Sequence, residues 1–165
     1  MAVFLEGKTC CPICKIVIDK NSNFHVFPAM TWNELDALRI ISDSVVHVDC
    51  LNLTGLSKSA LARSQLVTSA SQNSNRVCAI CSCHIKTPDD NLELGYITDN
   101  INSLLFDYNL AQFHKDCLRQ WNGLDNLVKS VIELNSSGEW RGSWLEIVQR
   151  KLQTLTSYSS KKLTQ

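Results

Sequence analysis

The sequence predicts an α+β protein made of two tandem metal-binding modules followed by an additional C-terminal helix. The first reason is an internal repeat, in which a Cys-x-x-Cys pair, thirty-two intervening residues and a His-x-x-Cys pair occur twice within 165 residues. The second reason is a short β-branched or alternating apolar run after each Cys pair, a pattern that favours strands. The third is the helical spacing of apolar residues after the second copy.

The repeat carries two complete sets of possible metal ligands. The ligands of the two sets are Cys11, Cys14, His47 and Cys50, and then Cys78, Cys81, His114 and Cys117. Each ligand of the second set lies the same number of residues after its counterpart in the first set. We call this constant separation, which is that from Cys11 to Cys78, the repeat offset. The isoleucine inside each Cys pair, the aspartate before the last Cys and the leucine after it recur at the repeat offset. This agreement in register indicates a duplicated module.

Zinc is the metal that these ligands predict. Structural zinc takes four Cys or His ligands in a tetrahedron, and soft sulfur ligands favour it over magnesium, calcium or manganese. A Cys-x-x-Cys turn can place two sulfurs on one ion. His-x-x-Cys can do the same in the first turn of a helix, where residues three apart share a face. Four protein ligands leave no position for water or substrate, so we expect two structural zinc ions.

Disulfides and iron–sulfur binding are the alternatives for these cysteines. Disulfides would leave the paired histidines unexplained, and the first seven residues lack the pattern of a secretory signal. Iron–sulfur binding uses similar ligands and is our second choice.

Four further residues near the predicted sites need an interpretation. In the second set, Cys83 or His84 could replace a neighbouring ligand, although aliphatic residues occupy the corresponding positions of the first copy. We interpret Cys10 as a spare cysteine beside the first set. His25 lies in an alternating stretch and is interpreted as a strand residue.

The succession of a Cys-x-x-Cys knuckle, a hairpin-length segment and two ligands opening a helix resembles the treble-clef class of zinc fingers. The ligand order Cys, Cys, His, Cys is also that of the first half of a LIM domain. The twenty-seven residues between Cys50 and Cys78 disfavour both LIM-type pairing and RING-type cross-bracing. The resemblance covers residues 8–67 and 75–134, and it implies two treble-clef-like zinc modules without specifying a function.

The predicted domains are a first module over residues 1–67, a second over 76–134, and a C-terminal helix and tail over 135–165. Residues 68–75 are small and polar and are predicted to be a linker. A capping-box pattern predicts a helix from Trp32 to about Ile41 in the first copy only. The middle segments, residues 28–44 and 95–112, are therefore expected to differ in shape.

Composition narrows the function classes. Sixteen basic and sixteen acidic residues give no net charge, and nucleic-acid-binding domains usually carry a basic excess. No apolar run reaches the length of a membrane span, so we expect a cytoplasmic protein. With two histidines assigned to zinc, no catalytic constellation is apparent, and we expect a non-catalytic protein.

Protein binding is the predicted function. Tryptophan is enriched in binding hot spots, and the chain has four, at positions 32, 121, 140 and 144. The context that we expect is a bacterial inhibitor or immunity protein that occludes a toxin. The first alternative is a nucleic-acid-binding regulator that uses basic side chains of the second half. These are Lys115, Arg119, Arg141, Arg150 and Lys151. The second alternative is a degenerate HNH-like nuclease acting through His25 or His84.

Overall fold

A computed structural model describes residues 2–72 and 76–161. The chain forms two compact units, Met1–Thr31 with Asp36–Ala70, and Trp32–Leu35 with Ser71–Gln165. Both combine a small antiparallel hairpin with short helices, so the predicted α+β class is confirmed. Within the described residues, none of the helices combines the length and the apolar character that crossing a bilayer requires.

The first unit is a two-stranded hairpin followed by two helices. The strands pair antiparallel, with Phe24 opposite His47, and a 3-10 helix lies between them in sequence. Its elements are β1 (Phe24–Val26), the 3-10 helix (Ala37–Ile40), β2 (Val45–His47), α1 (Val48–Leu53) and α2 (Ser57–Ser71). Its core is formed by side chains from all of these parts, including Phe27, Leu38, Val46, Leu51 and Ala60.

The second unit repeats this arrangement and adds a long final helix. Its hairpin places Asn91 opposite His114. Its elements are 3-10 helices at Pro88–Asp90 and Leu104–Tyr108, β3 (Asn91–Glu93), β4 (Gln112–His114), α3 (Lys115–Gln120), α4 (Leu124–Ser136) and α5 (Ser143–Lys161). Helix α5 packs on α3 and α4. Its buried side chains Leu145, Val148 and Leu152 join one core with Leu118 and Leu127.

The duplication extends to backbone details that ligand spacing alone does not reveal. Both strands of the second hairpin and the helix after it begin at the repeat offset from their counterparts in the first unit. Non-glycine residues with positive φ recur at the same offset, namely Lys15 and Ser82, and Asp43 and Leu110. These left-handed positions mark the same two turns in both units, because few residues adopt this conformation without a structural requirement.

The predicted difference between the middle segments is wrong where each segment is anchored, whereas Trp32–Leu35, inside the first segment, departs from the repeat by belonging to the second unit. In the first unit the Ser42 hydroxyl accepts hydrogen bonds from the backbone N–H groups of Met30 and Thr31. In the second unit, the side-chain oxygen of Asn109 accepts hydrogen bonds from the backbone N–H groups of Ile97 and Thr98. These three residues lie at the repeat offset from Ser42, Met30 and Thr31. Each segment is therefore fixed by one polar side chain at the same place.

The predicted helix from Trp32 to Ile41 is also wrong, because the capping box does not form. The Glu34 backbone N–H donates to the carbonyl of Arg141 instead of entering a helix. Only Ala37–Ile40 is helical, and it is capped by the Asp36 carboxylate, which accepts from the Leu38 N–H. Ser103 caps the corresponding 3-10 helix of the second unit in the same way.

Two predicted boundaries can be compared with the helices. Helix α2 runs to Ser71, so the first four residues of the predicted linker are helical, and residues 73–75 lie outside the described part of the chain. Helix α5 begins at Ser143, inside the predicted C-terminal segment of residues 135–165, and continues to Lys161.

Candidate metal centres

The first cluster is assembled by a tight turn and by the junction between strand and helix. The N–H of Lys15 donates to the carbonyl of Cys11, and the left-handed φ of Lys15 closes the turn that carries Cys11 and Cys14. His47 ends β2, and Cys50 lies in the first turn of α1. The hairpin therefore brings together ligands that have thirty-two residues between them in sequence.

The four ligand atoms of this cluster lie within 4.8 Å of one another. The Nδ1 atom of His47 is 3.5 Å from the Cys14 sulfur and 3.9 Å from the Cys50 sulfur. Cys11 is fully buried, whereas Cys14, His47 and Cys50 are half-buried. The cluster therefore lies at the edge of the core.

The second cluster has the same geometry. Its ligand atoms also lie within 4.8 Å of one another. The Nδ1 atom of His114 is 3.4 Å from the Cys81 sulfur and 3.8 Å from the Cys117 sulfur. The backbone N–H of His114 also approaches the Cys78 sulfur at 3.4 Å. Cys78 is fully buried and Cys81 is exposed, so this cluster is more open on one side than the first.

These distances can be tested against the geometry of a tetrahedral metal site. Bond lengths of about 2.3 Å to sulfur and 2.0 Å to nitrogen place tetrahedral S and N ligands about 3.5 Å apart. The four sulfur-to-nitrogen distances run from 3.4 to 3.9 Å. Each cluster therefore fits one metal ion of its own, held by four protein ligands. In each cluster the histidine presents its Nδ1 atom.

Thiol protonation differs within each cluster. Burial opposes ionisation of Cys11, but backbone N–H groups, first that of Cys14, lower the pKa of Cys11 to about 6. Burial raises the pKa of Cys50 to about 11. A hydrogen bond from the Cys83 N–H lowers the pKa of Cys81 to about 6, and burial raises the pKa of Cys117 to about 12. A metal ion would displace the remaining thiol protons.

The surroundings of the two histidine ligands differ in charge. The Nε2 atom of His114 is 3.9 Å from a carboxylate oxygen of Asp90, and the corresponding residue of the first unit is Asn23. A carboxylate near the second ring nitrogen favours the tautomer that leaves Nδ1 available to a metal. Sequence reasoning missed Asp90, although the hairpin register beside His114 could have suggested it.

The aspartates that precede the last Cys of each set lie in the first turns of α1 and α3. Negative charge is favourable there because it faces the positive end of the helix dipole. Asp116 also pairs with Arg119 on the same helix. These aspartates therefore stabilise the helices that carry two of the ligands in each set.

The structure brings the eight predicted ligands into two groups of four. Within the described residues, these groups include none of the four other candidate residues. The Cys83 sulfur faces the carbonyl of Cys81 at 3.5 Å, and His84 pairs with Val77 in an isolated β-bridge. Cys10 is exposed near the Lys8 carbonyl, and the His25 ring lies 5.7 Å from that of Phe27.

The tryptophans divide into core and surface residues. Trp140 is buried and donates to the carbonyl of Gly142, and Trp121 packs against the second core. Trp144 is half-buried and stacks on Trp32, with ring centroids 5.6 Å apart. Trp32 is 46% exposed, so this stacked pair presents an aromatic surface on the second unit.

The fold and the two clusters define the class as an α+β protein with two Cys3His metal-binding modules. Comparisons with known protein families, with curated proteins and with solved structures find no match. Function is therefore inferred from the chemistry of the chain itself.

Proposed function

We propose that this chain is a non-catalytic protein-binding module whose two treble-clef-like units are each held together by a structural zinc ion. The observation that carries the proposal is the closed ligand set, since four protein ligands surround each candidate metal position. A catalytic zinc site uses three protein ligands and leaves one position for water or substrate.

Zinc is favoured by the donor atoms and by the size of the units. Three sulfurs and one imidazole suit a soft or borderline ion, and structural zinc of this kind supplies folding free energy directly. Each unit has a small core built around a hairpin of two three-residue strands. Such small cores often need a metal to remain folded. The knuckle, hairpin and ligand-bearing helix of each unit support the treble-clef-like assignment.

The aromatic pair of the second unit is the contact surface that we propose. Trp144 is fixed by donating its indole N–H to the Leu94 carbonyl at 3.0 Å, and the Lys151 ammonium lies over its ring. Trp32 is held through its neighbours, since the Glu34 N–H donates to the Arg141 carbonyl and the Asn33 side-chain oxygen accepts from the Arg141 N–H. A rigid, half-exposed tryptophan pair loses little conformational entropy on binding, and tryptophan is enriched in hot spots.

The test is affinity capture from the native organism with the wild-type chain, Trp32→Ala and the control Leu53→Ala. Leu53 is 88% exposed in the first unit and lies outside the aromatic pair. We expect one protein to be retained by the wild type and by Leu53→Ala but lost with Trp32→Ala. A toxin in that position would identify an inhibitor or immunity protein. Equal retention by Trp32→Ala would refute the proposed surface, and elemental analysis of the same samples should find two zinc ions per chain.

Nucleic-acid binding is a second candidate because of one cleft in the second unit. Lys115, Arg119 and Lys151, three of the basic residues named from the sequence, line a cleft of about 550 Å³ together with Asp89. Part of this charge is already engaged, since Arg119 pairs with Asp116 and Lys115 contacts the Asp89 carbonyl. Binding of a labelled oligonucleotide that weakens steeply with salt, and is reduced by Lys151→Ala, would favour this candidate.

A further inference from the structure

A buried ion pair fills the space between α2 and the 3-10 helix of the first unit. The Arg63 guanidinium on α2 pairs with the carboxylate of Asp36, and their side chains are only 7% and 12% exposed. Asp36 also caps the 3-10 helix through its other carboxylate oxygen. Arg63 therefore acts as a cationic side chain that links a helix to a neighbouring turn.

The second unit has the same two elements but lacks this ion pair. At the repeat offset, Ser130 on α4 replaces Arg63 and Ser103 replaces Asp36. Ser103 keeps the capping role, since its hydroxyl accepts from the N–H of Leu105. Helix α4 still packs against the 3-10 helix Leu104–Tyr108. The two helices therefore keep their packing, while the two long side chains between them are replaced by short ones.

A cleft of about 360 Å³ lies where the ion pair would be. Ser103 and Ser130 both line it, which places it at the position of the Arg63–Asp36 pair. The other lining residues are two leucines of the 3-10 helix, Leu134 and Ser137 of the α4 end, and the acidic residues Glu133 and Glu139. Its volume lies within the range of small-ligand pockets.

The lining suits the two chemically different parts of an arginine side chain. The half-buried Leu134 and the buried Leu105 offer apolar surface to a methylene stem. Glu133 and Glu139 offer carboxylates to a guanidinium, which binds carboxylates through paired hydrogen bonds. Glu133 already has one cationic neighbour, Lys129 at 3.9 Å, but both side chains are well exposed and such pairs are weak.

We propose that this cleft binds the side chain of an arginine presented by the partner protein, in the manner in which the first unit binds its own Arg63. The inference rests on the proposed protein-binding function, because it names the chemistry of one partner residue. The internal repeat supplies the argument for the occupant, since the corresponding space in the same chain already holds a guanidinium paired with a carboxylate.

The test is an NMR titration of the isotopically labelled full chain with Nα-acetyl-arginine amide. We expect saturable shifts of the Ser103, Leu104, Ser130 and Glu133 amides. The matched probe is Nα-acetyl-citrulline amide, which has nearly the same shape without the charge, and it should bind about tenfold more weakly because it cannot form charge-assisted bonds.

The protein controls use the repeat itself. Ser103→Asp with Ser130→Arg should recreate the ion pair of the first unit, fill the cleft and abolish the shifts. Ala62→Asp with Gln65→Arg adds the same two charges at exposed positions of α2, outside the cleft, and should leave binding unchanged. The inference is overturned if the wild type shows no shifts at the cleft, if both probes bind equally, or if the double variant still binds. None of these results depends on a captured partner, so failure of the proposed function is seen separately.

Discussion

The Arg63–Asp36 pair gives the sharpest prediction about stability, and Asp36→Asn is the perturbation. Asparagine retains a side-chain oxygen that can cap Leu38 but removes the charge opposite Arg63. Because both side chains are nearly buried, solvent screens the pair little. Removing one member of a buried pair costs about 3 to 5 kcal/mol, since the remaining charge is left unpaired. We therefore expect the first unit to lose about 3 kcal/mol of unfolding free energy.

Native-state hydrogen exchange of the α2 amides measures this loss, because it reports each unit separately even if global unfolding is not two-state. Glu93→Gln, at an exposed position of β3, is the control and should change stability by less than about 0.5 kcal/mol. The double change Asp36→Ser with Arg63→Ser copies the second unit and should cost less than the sum of its single changes. A loss below about 1 kcal/mol for Asp36→Asn, or strict additivity, would refute the reasoning.

Three further predictions concern the metal sites and the packing. Cys81→Ser should reduce zinc from two ions to one per chain and unfold the second unit, whereas Cys83→Ser should keep both ions; equal damage by both would show that the ligand assignment is wrong. Leu127→Ala, at a fully buried position of α4, should cost about 2 to 5 kcal/mol in denaturant unfolding, and a smaller cost would mean that the core relaxes around it. Gly142→Ala should displace Trp32, because the added Cβ would lie 2.8 Å from the Trp32 carbonyl oxygen at a φ of 121°, and the measurement is a change in tryptophan fluorescence.

The two Cys3His groups could be predicted from the sequence because metal chemistry constrains residue type and spacing together. Four positions that recur at one repeat offset needed no knowledge of tertiary structure. The hairpins followed from the same logic, since ligands with thirty-two residues between them must be brought together. Elemental analysis and affinity capture test the proposed metal and the proposed partner.

The middle segments were mispredicted because a local pattern was given more weight than the repeat. Thr31 and Glu34 have capping-box spacing, but tertiary hydrogen bonds use the same backbone, and Glu34 donates to Arg141, which is distant in sequence. The equivalence of Ser42 and Asn109 was hidden because a hydroxyl and an amide look unrelated in sequence, although both offer an oxygen to two backbone N–H groups. A single-sequence pattern cannot show which of these competing bonds forms.

The two copies differ most in the helix that follows the ligand-bearing helix, and this difference explains why α5 packs where it does. In α4, Val131 is fully buried in the core, Val128 packs against it, and Asn135 donates to Gln149 of α5. The buried residues Leu124, Leu127 and Val131 of α4 correspond to Ser57, Ala60 and Ser64 of α2, which are smaller or polar. The side of α2 that corresponds to the α5-binding side of α4 therefore offers less apolar surface to a covering helix, whereas α4 requires one. The two copies therefore share one frame built around a Cys3His cluster, and the larger apolar side chains on the second helix of the second copy are covered by α5.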